Sequence, residues 1–266
     1  MKHEELVRLK GWFAGYCRRF FTENDEDNRN YSLKELHTGH VQKNMNLLTE
    51  GLKLSSEERT TAEAIALFHD IGRFDQYRRY STFRDDISEN HAALGVKVLK
   101  GERVLENVTD EERRSLYLAV SLHNVFQVPS GIDGKDFLFT NLIRDADKLD
   151  IWRVFTDYFK QPESERASAV GLGFPDLPVC SPEVLACIEK KEMVHLSKLK
   201  SLNDFKLLQL SWVFDLNFPA SFRMALDRGY IDGLSKTLPE DGTVKKAVGL
   251  IRRYTAAKAA EGESNA

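Results

Sequence analysis

Apolar residues recur along most of the chain at steps of three and four, the spacing that lines up one face of an α-helix. Over residues 3–22 that stripe is Leu6, Leu9, Phe13, Tyr16, Cys17 and Phe20. The segment TENDEDNRN that follows is polar and charged and reads as a loop. Ser32 precedes Glu35 by three, a capping-box spacing that opens a helix running to about Gly51. Ser55 or Ser56, with Glu58 nearby, opens another that is expected to end at Gly72. Further helices are expected near 86–100, 109–124, 136–160, 182–199, 203–215, 218–229 and 243–258. Strand-like alternation is weak throughout, so the pattern predicts an all-α fold.

The pattern breaks over residues 161–182, where Pro162, Pro175, Pro178 and Pro182 fall with Gly171 and Gly173 among them. Proline removes an amide donor and fixes φ, so this stretch is expected to be a loop. The expected organisation is therefore an N-terminal helix plus a core over 1–160, a loop over 161–182, and a C-terminal helical extension over 183–258. Residues 259–266 have little to bury and should fray. The extension is expected to cover the core, shape a pocket or form a dimer surface, so a homodimer is a candidate assembly. Trp212-Val-Phe-Asp215-Leu-Asn217-Phe within it fits helical packing with a capped turn.

Composition narrows the partners. The chain is 42% hydrophobic and 30% charged, an ordinary globular balance. A net charge of −3 without a basic tract gives no reason to expect a nucleic-acid or membrane partner. Acidic residues occur where a signal peptide needs an apolar stretch, and no apolar run is long enough to span a bilayer. The three cysteines, Cys17, Cys180 and Cys187, form no C-x-x-C pair, so neither a disulfide framework nor a thiolate zinc site is expected. A reducing, cytoplasmic setting is the default expectation.

Candidate chemistry lies in the histidines and aspartates. His69-Asp70 ends the apolar helix AEAIALFHDIGRF, against Ile65, Ala66, Phe68 and Ile71, where an unpaired polar group is costly. His37 shares a helical face with Val41, Asn44 and Leu48; His91 with Leu94, Gly95 and Val98; His123 with Leu116, Ala119 and Val120. Asp147 shares one with Ile143, Ile151 and Val154, whereas Asp145 points about two hundred degrees away, at about a hundred degrees per residue. A single core histidine can be tied to a carbonyl and need no metal. Four inward histidines with two inward aspartates, spread over successive helices, suit divalent metals such as manganese, iron, cobalt, nickel or zinc. Such a set can hold two ions.

The order H…HD…H…H…D resembles the HD superfamily of metal-dependent phosphohydrolases. His37-Thr-Gly-His-Val41 resembles its first helix, His69-Asp70-Ile-Gly72 the eponymous motif, and Asn90-His91-Ala-Ala-Leu-Gly95 the H-x-x-x-G segment of the binuclear branch. His123-Asn124 and Ala146-Asp147-Lys148-Leu149 resemble the later histidine and the closing A-D-x-L. The resemblance covers roughly residues 33–155. It implies an HD helical bundle with one or two divalent ions (Mn, Fe, Co, Ni, Zn or Mg). Asp70 would bridge them, His37, His69 and Asp147 would hold one, and His91 and His123 would complete the other. His40 falls where relatives often carry arginine, and would be a substrate contact or an alternative ligand.

The implied reaction is hydrolysis of a phosphate ester or anhydride of a nucleotide or small phosphorylated metabolite, by a hydroxide that the metals make available. Asp70 and Arg73 are the catalytic candidates. Arg73, Arg78, Arg79, Lys148 and His40 are the candidate substrate contacts, with Arg84 and Arg144 nearby. The chain lacks the Gly-Tyr-Pro of HD-type cyclic-di-GMP phosphodiesterases, and Gly-Arg-Phe-Asp-Gln stands where alarmone hydrolases carry an acidic pair. Arg73 stands where dNTP triphosphohydrolases usually continue to a histidine. The histidine pattern is closer to a bacterial diadenosine tetraphosphate-hydrolysing branch. Two other classes share these ligands: HD-type di-iron oxygenases, and non-catalytic HD-like binding modules.

Overall fold

Capping side chains decide where several helices begin. The computed structural model describes residues 1–158 and 173–261, which are helices and turns without a strand. The all-α expectation holds. Helix α1 spans His3–Arg18 and α2 spans Asp25–Gly51. Asn24 caps α2 by accepting from the Glu26 and Asp27 N–H groups at 2.9 and 3.2 Å. The helix thus starts inside the segment read as a loop, and Ser32 lies within it. Three acidic residues in the first turn, Asp25, Glu26 and Asp27, face the positive end of the helix dipole, which is why so polar a stretch is helical. Ser55 and Glu58 form the capping box of α3, Ser56–Phe68.

That helix stops short of Gly72. Residues 69–71 form a tightened turn in which Ile71 N–H donates to Phe68 O and Arg73 N–H to Asp70 O. A short helix, α4 (Gly72–Tyr80), follows where the arginine-rich sequence had given no helical reading. Its buried Phe74 and Tyr77 join Phe13 and Tyr16 of α1, Phe20 just beyond it and Tyr31 of α2 in one aromatic cluster. Edge and stacked ring contacts of this kind stabilise by roughly 0.5–1.5 kcal/mol each beyond their burial. They hold α4 in place although half its surface is charged.

Helix α5 begins at His91, capped by Asn90, and ends at Gly101; α6 spans Asp110–Leu122 and α7 Gly134–Tyr158. Gly72 lies against the first turn of α5, where a Cβ would come within 2.1 Å of His91 O and 2.5 Å of Gly95 N. Only glycine fits there. Asn44 of α2 donates to Ala146 O of α7 at 3.0 Å, a buried bond that sets the register of those two helices.

The described residues group into two compact units, Met1–Asp150 and those from Ile151 on. In the second, α8 (Pro182–Glu189) is shorter than its apolar pattern implied, and a separate 3-10 turn covers Leu196–Lys198. Helix α9 (Leu202–Ser211) passes into a 3-10 turn over Trp212–Asp215, whose Phe214 meets Tyr254 edge-on at 5.0 Å. Then come α10 (Pro219–Asp227), α11 (Tyr230–Ser235), which lies between the expected helices and was not predicted, and α12 (Gly242–Ala260). Residues 159–172, the end of the helix expected to 160 and the first part of the expected loop, and 262–266 of the expected tail lie outside the described residues. All three cysteines are free; Cys17 and Cys187 are buried and Cys180 is half-buried. No described helix is long and apolar enough to cross a membrane.

The α4–α5 contact makes a specific demand. Gly72→Ala is expected to destabilise the protein by at least about 2 kcal/mol, because the clash is with backbone that cannot rotate away. Gly11→Ala, in open space on α1, should be neutral or stabilising by up to about 1 kcal/mol. Chemical denaturation of the two variants measures both.

Candidate metal centre

His69 and Asp70 project from the α3–α4 turn into the first unit and are almost fully buried there. Each imidazole around them is tied through Nδ1. His69 Nδ1–H donates to Ala66 O and His123 Nδ1–H to Val120 O, both at 2.8 Å. His37 donates through Nδ1 to Asp150 Oδ2, and His91 to Asp85 Oδ2, both at 2.7 Å. Carbonyl and carboxylate oxygens accept only, so Nδ1 carries the proton and Nε2 is the free nitrogen on each ring. All four Nε2 atoms turn to one place: those of His37 and His69 lie 3.2 Å apart, and those of His91 and His123 lie 3.0 Å apart.

Asp70 stands between the two pairs. Its Oδ2 is 3.6 Å from His37 Nε2 and 3.9 Å from His69 Nε2, while its Oδ1 is 3.3 Å from His91 Nε2 and 3.8 Å from His123 Nε2. Asp147 Oδ1 adds to the first pair, 3.0 Å from His37 Nε2 and 3.6 Å from His69 Nε2. Asp145 is also buried, but it is Asp147 that reaches the histidines.

Facing nitrogen lone pairs and carboxylates in a buried space repel unless positive charge lies among them. The electrostatics of the site runs the same way. Burial alone would lower the His37 pKa, but the Asp147 and Asp150 carboxylates outweigh it and push it up to about 9. A divalent cation among these nitrogens and oxygens would meet the same demand. On the other side, burial and then the Arg73 charge push His91 down to about 3, so its ring stays neutral. Burial would raise Asp70, yet Lys34, His69 and Arg73 hold it well below the usual carboxylate range. Asp147 is likewise held low against its burial by His37 and His69. The donors His37, His69 and Asp70, and separately Asp70, His91 and His123, are close enough to hold a metal ion. Neutral imidazoles oriented by carboxylates and carbonyls behind them are the arrangement that metal-binding histidines require.

The candidate cations divide. Arg73 lies beside the centre, its Nε 3.4 Å from Asp70 Oδ1, and its Nη1 donates to Gln76 Oε1, Phe83 O and Asp85 Oδ1 at 2.6–2.9 Å. Those bonds pin the loop that carries Asp85 behind His91. Arg78 and Arg79 instead both pair with the buried Asp75 and line a separate cavity of about 380 Å³ with Tyr16, Phe20 and Lys97. Arg84 pairs with Asp86 at the surface. Arg144 donates to Val125 O at 2.5 Å and so braces the turn behind His123; Lys148, also buried, reaches back to Arg144 O at 3.5 Å. His40 is 31% exposed, with Nδ1 4.0 Å from Asp150 Oδ1, and belongs to neither donor group.

Three functional candidates escaped the sequence reading. Lys34 donates to Asp70 Oδ2 at 2.7 Å, and Asp150 and Asp85 orient His37 and His91. Asp150 follows Asp147 by three on α7, so helical spacing held the signal. Lys34 likewise precedes His37 by three on α2. Asp85 sits in a 3-10 turn, Asp85–Ile87, without periodicity, and only the folded loop reveals it.

Comparison with known families agrees with this geometry. The sequence profile of the HD domain family matches residues 36–152. That segment of the chain is an HD domain. The HD domain indicates a superfamily of metal-dependent hydrolases, and every donor described above lies inside the matched segment. No curated protein and no solved structure matches the chain.

The orienting carboxylates of the HD domain give a direct check. Asp85→Ala, which frees the His91 ring, is expected to weaken divalent-metal binding by about 10–100-fold while the protein stays folded. Isothermal titration with Mn²⁺ beside a circular dichroism spectrum reads both.

Proposed function

We propose that the chain is a phosphohydrolase that holds two divalent ions. His37, His69 and Asp147 would serve one ion, His91 and His123 the other, and Asp70 both. The observation that carries this reading is the division of Asp70, with one carboxylate oxygen toward each histidine pair at 3.3–3.9 Å. A carboxylate so shared is what a two-metal hydrolytic site needs. Bound ions would supply charge that lowers the pKa of a water and neutralises phosphoryl oxygens.

The chain's own side chains do the remaining work. Asp150, Asp85, Ala66 O and Val120 O hold the imidazoles in the ligating tautomer. Arg73 and Lys34 place two cations on either side of Asp70, which suits an anionic substrate and favours phosphoryl transfer over oxidation of a neutral polyol. Arg73 acts chiefly as a positioning residue, because its Nη1 is committed to the Asp85 loop, and none of its bonds uses Nη2. We assign the substrate to nucleotides or small phosphorylated metabolites, with Mn²⁺, Fe²⁺, Co²⁺, Ni²⁺, Zn²⁺ or Mg²⁺ as the metal.

A phosphatase and phosphodiesterase panel, run on metal-analysed protein with each of Mn²⁺, Ni²⁺, Co²⁺ and Mg²⁺, should find activity that Asp70→Ala abolishes. His37→Ala and His91→Ala should each lower bound Mn²⁺ from two ions per chain toward one. Hydrolysis that survives Asp70→Ala intact would place the chemistry elsewhere. Oxygen uptake by the iron-loaded protein, with no hydrolysis of any phosphate, would favour a di-iron oxygenase.

A further inference from the structure

Lys34 occupies a position that a metal centre makes contentious. Among the described residues its ammonium makes a single hydrogen bond, to Asp70 Oδ2 at 2.7 Å, the same oxygen that faces His37 and His69. It lies 5.0 Å from the Phe83 ring centroid, and its side chain is 15% exposed against 5% for Asp70, so it approaches the centre from the solvent side. Arg73, the other cation on Asp70, is tied through Nη1 to Gln76, Phe83 and Asp85. Among the described residues Lys34 has no such hydrogen-bonded tether. Its flexible four-carbon stem and three rotatable donors let it move where the planar, fixed guanidinium cannot.

A divalent ion held by His37, His69 and Asp70 needs the lone pairs of Oδ2 that Lys34 now engages. It would also repel a neighbouring ammonium in a site largely shielded from water. The geometry points to Lys34 as a displaceable counter-ion of the bridging carboxylate that, once metal enters, becomes a clamp for the substrate's phosphoryl oxygens. The ammonium leaves Oδ2 but stays one helical turn from His37, on the exposed side of the centre and against Phe83. An anion arriving at the metals from solvent meets it there. Lys34 thereby opposes metal loading and favours phosphate, two effects of opposite sign from one charge. The inference rests on the metal-centre reading above.

The test separates those effects and separates this inference from that reading. Mn²⁺ affinity is measured by isothermal titration on the full chain, and binding of inorganic phosphate to the Mn²⁺-loaded protein by ³¹P line broadening. Lys34→Met keeps the apolar stem against Phe83 and removes the charge. It is expected to bind Mn²⁺ about tenfold more tightly, a gain of about 1.4 kcal/mol. Its stoichiometry should be unchanged and its phosphate affinity at least several-fold weaker. Lys34→Arg should keep phosphate affinity within a few-fold of wild type. If Lys34→Met does not fold, Lys34→Gln carries the same expectations. Mn²⁺ binding that is unchanged or weaker in the neutral variant, with wild type binding normally, overturns the counter-ion role. Tighter Mn²⁺ binding with phosphate affinity unchanged overturns the clamp. A wild-type protein that binds no Mn²⁺ at all overturns the metal-centre reading itself.

Discussion

A carboxylate buried among four imidazole nitrogens, with a second carboxylate beside them, is unstable without positive charge, and much of the first unit can be understood as the answer to that problem. Asp70 is 4% exposed. Removing an ion from water is expensive, and the expense is met only by close partners of opposite charge or by metal. Lys34 and Arg73 meet part of the demand, and protonation at His37 another part. A site that draws cationic side chains to its carboxylates is electrostatically suited to divalent ions.

Orientation has a different origin from charge. The ring of each histidine is fixed from behind, two by main-chain carbonyls one turn earlier in the same helix and two by carboxylates from elsewhere. His69 and His123 therefore depend on local helical geometry, whereas His37 and His91 depend on α7 and on the Asp85 loop. Arg73 links those dependencies, because it touches Asp70 with Nε and braces the Asp85 loop with Nη1. Helix α4 thus serves the centre without supplying a ligand. Its own placement rests on the aromatic cluster on one side and on Gly72 against α5 on the other. The result is a short polar helix held by neighbours rather than by its own propensity.

The arginines show how position overrides composition. Arg73, Arg78, Arg79 and Arg84 lie within twelve residues, yet they serve three separate partners: Arg73 the centre, Arg78 and Arg79 the buried Asp75, and Arg84 a surface aspartate. On a helix, residues five and six apart point in different directions, so a basic cluster in sequence disperses in space. A cluster of charge read along the chain overestimated the number of cations that could meet one substrate.

By itself the sequence determined the helical class, because periodicity of three and four records which face of each segment is buried. It also pointed to the inward faces that carry His37, His91 and His123, and helical phase pointed to Asp147 over Asp145, although Asp145 is the more deeply buried of the two. The HD motif and its companions in order carried the family resemblance for the same reason: ligands must recur on inward faces. Only the tertiary structure decided that Asp70 divides its two oxygens between two histidine pairs, because that depends on the turn between α3 and α4 and on where α5 and α6 begin and end. It also decided the roles of Lys34, Asp85 and Asp150, and the start of α2 at Asn24 rather than Ser32. Those outcomes arise from contacts between segments distant along the chain, and from caps whose side chains compete with their neighbours. Local pattern records which side of a helix is buried, but not what it is buried against.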